Sequence, residues 1–277
     1  MLLTPRYDGP PVLQLAGPTG DPAVPLLRQR RRLVELLAGL DETQWAAASR
    51  CEGWTVRDVI AHLVGVDQFW AVSAGAALAG EPTRYLQAFD PVATPAQMVD
   101  GTQDLAPAAV LEHFGVGVEA LADLLGGLDE DRWSVVAEAP PGHVSLHALA
   151  LHALWDAWIH ERDIVLPLGL PPVVDADEVR ASLRYVAALG PALSATRGSV
   201  RTGTLVVDGT DPEAHVVVDA GETVVVSDRD APAGAVRVVG SSVELVEALS
   251  FRAPLTADVA EDDRWLLGDL GTVFDAV

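Results

Sequence analysis

The chain of 277 residues carries 18 basic and 40 acidic side chains, for a net charge of -22, and every basic residue is Arg. Without Lys there is no amine for Schiff-base or pyridoxal phosphate chemistry and no P-loop lysine; with one cysteine, Cys51, there is no internal disulfide, Cys₄ zinc site or CxxC pair. The acidic balance repels nucleic acid and anionic membranes, which leaves small molecules and cations as the expected partners.

Residues 1–24 include Pro5, Pro10, Pro11, Pro18 and Pro22 and read as an extended arm, ordered only if it docks on something. Apolar positions Leu26, Leu33, Leu37 and Leu40 predict a helix from Leu26 to Leu40. Its arginines Arg28, Arg30, Arg31 and Arg32 read as a solvated face. The next helix starts at Thr55, where Thr55 and Asp58 can form a capping box. Val59, His62, Leu63, Val66, Phe69 and Trp70 then form one buried face that includes His62.

A third helix is predicted from Pro107 to Leu125, with Gly115 and Gly117 weakening it. A fourth follows Pro140-Pro141-Gly142 and runs from Ser145 to Val165, ended by Pro167 and Pro171-Pro172. One more helix is expected from Asp175 to Leu193. Short β-branched runs come next: Gly203–Val207, His215–Val218, Thr223–Val226 and Ala235–Val239. Turns are expected at Asp208-Gly209 and Asp219-Ala220-Gly221. Helices over Ser242–Leu249 and Asp262–Leu267 close the pattern. It predicts an α+β chain with an arm (1–24), a helical bundle (25–172) and a small mixed domain (173–277). No run of about 18 uninterrupted apolar residues predicts a membrane span. The N-terminus lacks a signal-peptide layout, so a cytoplasmic location is expected.

Four of the seven histidines fall between residues 143 and 160. His152, Asp156 and His160 are spaced four apart, and each such step rotates only about 40° around a helix. Taken singly, His62 reads as a core histidine and Asp156–His160 as an exposed ion pair. Together they read as candidate ligands of one divalent ion, because a buried carboxylate needs a compensating partner. A site with an open position needs three protein ligands, and facing helices of a bundle can supply them. His152 can replace or support one of them. His143 and His147 read as capping or loop residues, and Cys51 as a buried structural thiol.

The run from Cys51 to Leu63, CEGWTVRDVIAHL, resembles the N-terminal signature of the mycothiol-dependent maleylpyruvate isomerase family, within the wider DinB/YfiT-like metalloenzyme superfamily. The run from Asp156 to Asp163, DAWIHERD, resembles its second signature. The resemblance implies a DinB-like four-helix bundle followed by a small α/β sterol-carrier-like domain. It implies His62, Asp156 and His160 as metal ligands, with Asp156 standing where the family usually has Glu. It also implies a catalytic or substrate-binding arginine. Arg252 in Ser250-Phe251-Arg252 is the nearest match, with Phe251 in place of the usual Gly.

The implied cofactors are a divalent metal, with Zn²⁺ the expected ion, and mycothiol, an actinobacterial thiol. The implied chemistry is addition of the thiol to, or its transfer onto, a small electrophilic substrate by a monomer or homodimer. A metal-dependent hydrolase or biosynthetic enzyme that uses no thiol, and a non-catalytic binding protein of the same fold, stay open as alternatives.

Overall fold

The computed structural model describes residues 4–17, 20–88, 90, 93–198 and 201–268. The elements in chain order are β1 (Leu13–Leu15), α1 (Ala23–Ala38), α2 (Glu42–Trp45), α3 (Val56–Leu78), α4 (Ala93–Asp100), α5 (Pro107–Leu125), α6 (Glu130–Trp133), β2 (Val136–Ala139), β3 (Gly142–Ser145), α7 (Leu146–Val165), α8 (Ala176–Thr196), β4 (Gly203–Thr210), β5 (Ala214–Ala220), β6 (Val224–Ser227), β7 (Val236–Ser241), α9 (Ser242–Leu249) and α10 (Trp265–Gly268).

α1, α3, α5 and α7 pack in a ring: α1 touches α5 and α7, and α3 touches the same two. α3 starts where the sequence predicts. Thr55 accepts from the Asp58 backbone and Asp58 accepts from the Thr55 backbone, which makes the cap worth about 1 kcal/mol. α3 is also the one described helix long and apolar enough to cross a membrane. Its apolar face is spent inside the ring, where Val59, Ile60 and Leu63 meet Val110 and Phe114 of α5. Each such side chain, fully buried, contributes roughly 1.5–3 kcal/mol. α5 runs unbroken through Gly115 and Gly117, since Val110, Phe114, Val118 and Leu121 all face the core and packing outweighs glycine's low propensity.

α8 packs on α7 from one side and on α9, β5 and β6 from the other. The sheet order is β1-β6-β5-β4-β7. The outer pairs β1/β6 and β4/β7 are parallel, and the inner pairs are antiparallel. The core is continuous across α7 and α8: one apolar cluster includes Leu13, Trp70, Trp158, Leu183, Val207 and Val226.

The N-terminal arm docks. β1 joins the sheet edge beside β6. Arg6 exchanges backbone bonds with Pro141 and His143 at the β2–β3 turn. Gly142, at φ +109°, permits that approach, because a Cβ there would lie 2.1 Å from the Arg6 carbonyl. Tyr7 Oη donates to the fully buried Glu138 at 2.6 Å, which also takes bonds from Thr83, Tyr85 and Leu86.

Two local expectations are overturned. Asp208 and Gly209 do not form a turn: they extend β4, in register with His215 and Ala214. Gly209 lies where a Cβ would meet Ser242 Oγ at 2.0 Å, so it serves close packing against the start of α9. The arginines of α1 are not a uniformly solvated face. Arg30 is wholly buried and grips Asp67 of α3. Arg32 bonds Glu161 of α7 and Glu178 of α8. Arg28 reaches Asp175, Asp177 and Glu178. Helix α1 is thereby tied to three other helices through charge pairs.

Candidate functional site

His62 lies on the buried face of α3, and Asp156 and His160 lie one turn apart on α7, which packs against α3. Because the hydrophobic period of α3 points His62 inward, and the four-residue spacing of α7 puts Asp156 and His160 on one stripe, the three converge. His62 Nε2 is 4.0 Å from Asp156 Oδ2, and His160 Nε2 is 3.7 Å from Asp156 Oδ1. The two imidazole centroids are 5.0 Å apart, nearly edge to face. One donor atom from each residue lies within 4.8 Å of the others. Donors sharing one tetrahedral ion stand about 3.3–3.6 Å apart; the separations at Asp156 are somewhat longer and run to its two different oxygens, one facing each imidazole.

The electrostatics of this cluster are those of a place short of one positive charge. Asp156 Oδ2 is buried with no hydrogen-bond donor, an expensive state for a carboxylate oxygen unless a cation faces it. Burial pushes Asp156 up. Burial, and then the nearby charge of His160, push His62 well below the usual imidazole range. Burial also works against a charge on His160, but Cys51 and the Asp163 carboxylate beside its Nδ1 outweigh it and hold His160 well above that range. The donor set fits a divalent ion: two imidazoles, of which burial keeps His62 neutral and so ready to ligate, and a buried carboxylate oxygen with no donor of its own.

A second set of potential ligands, Cys51, His160 Nδ1 and Asp163, is equally compact. Its carboxylate is already held by Arg50 and Arg252. Two guanidiniums at Asp163 disfavour a cation there, so the chemistry of the first set prevails.

Arg252 is brought to the site, not left on the surface. Its Nε and Nη2 donate to Asp163 at 3.0 Å each, and Nη2 lies 3.6 Å from Cys51 Sγ. The preceding Phe251 adopts φ +58°, the left-handed region that favours Gly. The position where the resemblance leads one to expect Gly is thus the position whose backbone calls for it. His152 does not join the three-residue cluster: its Nδ1 pairs with Tyr185 Oη at 2.7 Å, among Trp70 and Trp155. His143 sits in β3 and His147 in the first turn of α7. Cys51 is buried, yet its Sγ is 3.7 Å from His160 Nδ1 and 3.3 Å from Asp163 Oδ2. These neighbours lie more than a hundred residues along the chain, so reading near Cys51 alone missed them. Asp163 was missed as well, although its i,i+3 spacing from His160 was there to be read. A groove of about 570 Å³ lies elsewhere, on the outer side of α1 beside Leu27, Arg31 and Gly126.

The family model described as the mycothiol maleylpyruvate isomerase N-terminal domain matches residues 26–165, the stretch that contains both signatures and all three clustered residues. No curated protein matches the chain. Two solved structures resemble it, the mycothiol-dependent maleylpyruvate isomerase and a histidine-to-alanine variant of that enzyme. Each is 19% identical, with a TM-score of 0.59, over 88% of this chain and 96% of theirs; at that identity the likeness speaks for the fold. By the family match, extending over half its length and over the helices that build the site, the chain belongs to the mycothiol-dependent maleylpyruvate isomerase family.

Proposed function

We propose that the protein is a divalent-metal, thiol-dependent enzyme that isomerises a small electrophilic substrate such as maleylpyruvate, or transfers the thiol onto it, with mycothiol as the thiol. The observation that carries this reading is the convergence of His62, Asp156 and His160 around a buried carboxylate oxygen without a donor. Those three residues would hold the ion; two imidazoles and a carboxylate suit several divalent metals, with Zn²⁺ the ion this reading takes first. A bound divalent ion supplies a Lewis acid that makes a coordinated thiol nucleophilic at neutral pH.

The chain's own residues do the rest. Burial of His62 and His160 keeps bulk water from the reacting centre. Arg252 reaches this network from beyond α9, through Asp163 and Cys51. With Nε and Nη2 committed to Asp163, it presents its remaining amino group to an anionic substrate as a single contact and not a bidentate fork. No lysine exists to do that work, and a thiol brought from outside relieves the lone cysteine of it. The same reading takes the α1, α3, α5, α7 ring with its flanking segments (25–172) as a DinB-like four-helix bundle. It takes residues 173–277 as a sterol-carrier-like second domain, and a monomer or homodimer in the cytoplasm as the working form.

The test is thiol dependence. Metal-loaded protein is assayed with maleylpyruvate and a panel of electrophiles, with and without mycothiol. Turnover that requires the thiol supports the reading. Thiol-independent hydrolysis by the same preparation would replace it with the hydrolase alternative.

A further inference from the structure

We propose that Asp163 is a positioning residue that fixes the tautomer and orientation of His160, ties it to Arg252, and so sets the cation affinity of the His62–Asp156–His160 cluster. The proposal rests on the metal reading above and extends it to a residue outside the ligand set.

Asp163 is wholly buried, three residues after His160 on α7. Its Oδ2 lies 3.0 Å from His160 Nδ1. An ionised carboxylate has no proton to give, so in this pair the imidazole Nδ1–H donates. In the neutral ring that a cation would bind, that choice leaves Nε2 without a proton, on the side of the ring that faces Asp156 at 3.7 Å. The hydrogen bond therefore both selects the tautomer a cation needs and aims it.

The other acceptor positions of Asp163 are filled by three residues from two parts of the chain. Arg50, ahead of α3, donates through Nε to Oδ1 at 3.0 Å. Arg252, after α9, donates through Nε to Oδ1 and through Nη2 to Oδ2, each at 3.0 Å. Cys51 Sγ lies 3.3 Å from Oδ2. Arg50 also reaches Glu247 of α9 at 2.9 Å, and Arg162 holds the same Glu247. Held on this many sides, Asp163 cannot swing into the ligand shell. It acts through His160, and the same carboxylate links the segment bearing Arg252 to the ligand. Removing a carboxylate of this kind behind a ligating histidine typically weakens metal affinity about 10–100-fold.

The test measures Co²⁺ affinity by chelator competition, with the visible d–d absorption as a second readout. It compares the full-length protein with Asp163→Ala and Asp163→Asn. Asp163→Ala is expected to bind Co²⁺ about 10–100-fold more weakly with an altered d–d spectrum. Asp163→Asn keeps an acceptor for Nδ1–H and loses less; it carries the test should the alanine variant fail to fold. Affinity and spectrum unchanged in the Asp163 variants, with only thermal stability reduced, would overturn the positioning role while leaving the metal reading intact. Failure of the unaltered protein to bind Co²⁺ would overturn both.

Discussion

Replacing Asp67 by Ala tests the claim that a buried ion pair, and not a solvated face, joins α1 to α3. Arg30 and Asp67 have side chains with 0% exposure. Nε of Arg30 donates to both carboxylate oxygens at 3.1 Å, and Nη2 donates to Oδ1 at 2.6 Å. Without Asp67, the guanidinium keeps, among the described residues, its bond from Nη1 to the Ala153 carbonyl and stays buried with no carboxylate bonded to it. Removing one partner of such a pair costs about 3–5 kcal/mol, a large part of a typical stability of about 5–15 kcal/mol. With a urea dependence of about 1–3 kcal/mol per molar, the unfolding midpoint should fall by at least about 1 M. The double replacement Arg30→Met with Asp67→Leu should recover most of the loss, because it removes both charges and fills the space. A loss below about 1 kcal/mol in Asp67→Ala would refute the reasoning: it is the value for a surface pair and would return Arg30 to the solvent-facing role the sequence suggests.

Three further outcomes are expected. Burial pushes His152 down to about 3, whereas an unfolded histidine titrates near 6.5. The folded state therefore resists protonation, and stability present above about pH 6.5 is lost as pH falls toward about 3; between pH 7 and pH 5 the unaltered protein should lose about 2 kcal/mol more than His152→Gln, and parallel acid limbs in urea titrations would contradict this. Phe251→Gly should raise stability by up to about 1 kcal/mol, because Phe251 is 41% exposed and holds φ +58° at a cost of about 1–2 kcal/mol, less the entropy of a new glycine; a lowered melting temperature would show that the side chain's contacts matter more. Cys51→Ala should keep its divalent ion and its thiol-dependent turnover, since the sulfur nucleophile comes from outside; an ion-replete but inactive variant would give Cys51 a chemical role.

Much of the helical frame was legible because its signals are local. The Thr55–Asp58 box begins α3, the apolar period points His62 inward, and prolines bound α7 at residues 167, 171 and 172. The convergence of His62 with Asp156 and His160 was readable too, as inward-facing residues of helices in one bundle. Three kinds of feature escaped. Arg30 looked solvated because its partner is 37 residues away on another helix, and a charge's burial depends on that partner. The strand Leu13–Leu15 hid in a proline-rich arm because its partner, β6, lies some 210 residues on. Asp208-Gly209 carries a turn's composition, yet cross-strand register and the close approach of Ser242 keep it in β4. The network around Asp163 was half visible: its spacing from His160 is local, while Arg50 and Arg252 lie some 200 residues apart in the chain.

The central claim is that three side chains from two helices hold one divalent ion. The direct measurement is metal content per chain by elemental analysis after loading and exhaustive dialysis, for the unaltered protein and for His62→Ala, Asp156→Ala and His160→Ala. The account predicts close to one ion per chain in the unaltered protein, and its loss in each variant with helical circular dichroism preserved. Full metal content in His62→Ala, or none in the unaltered protein after loading, would contradict it.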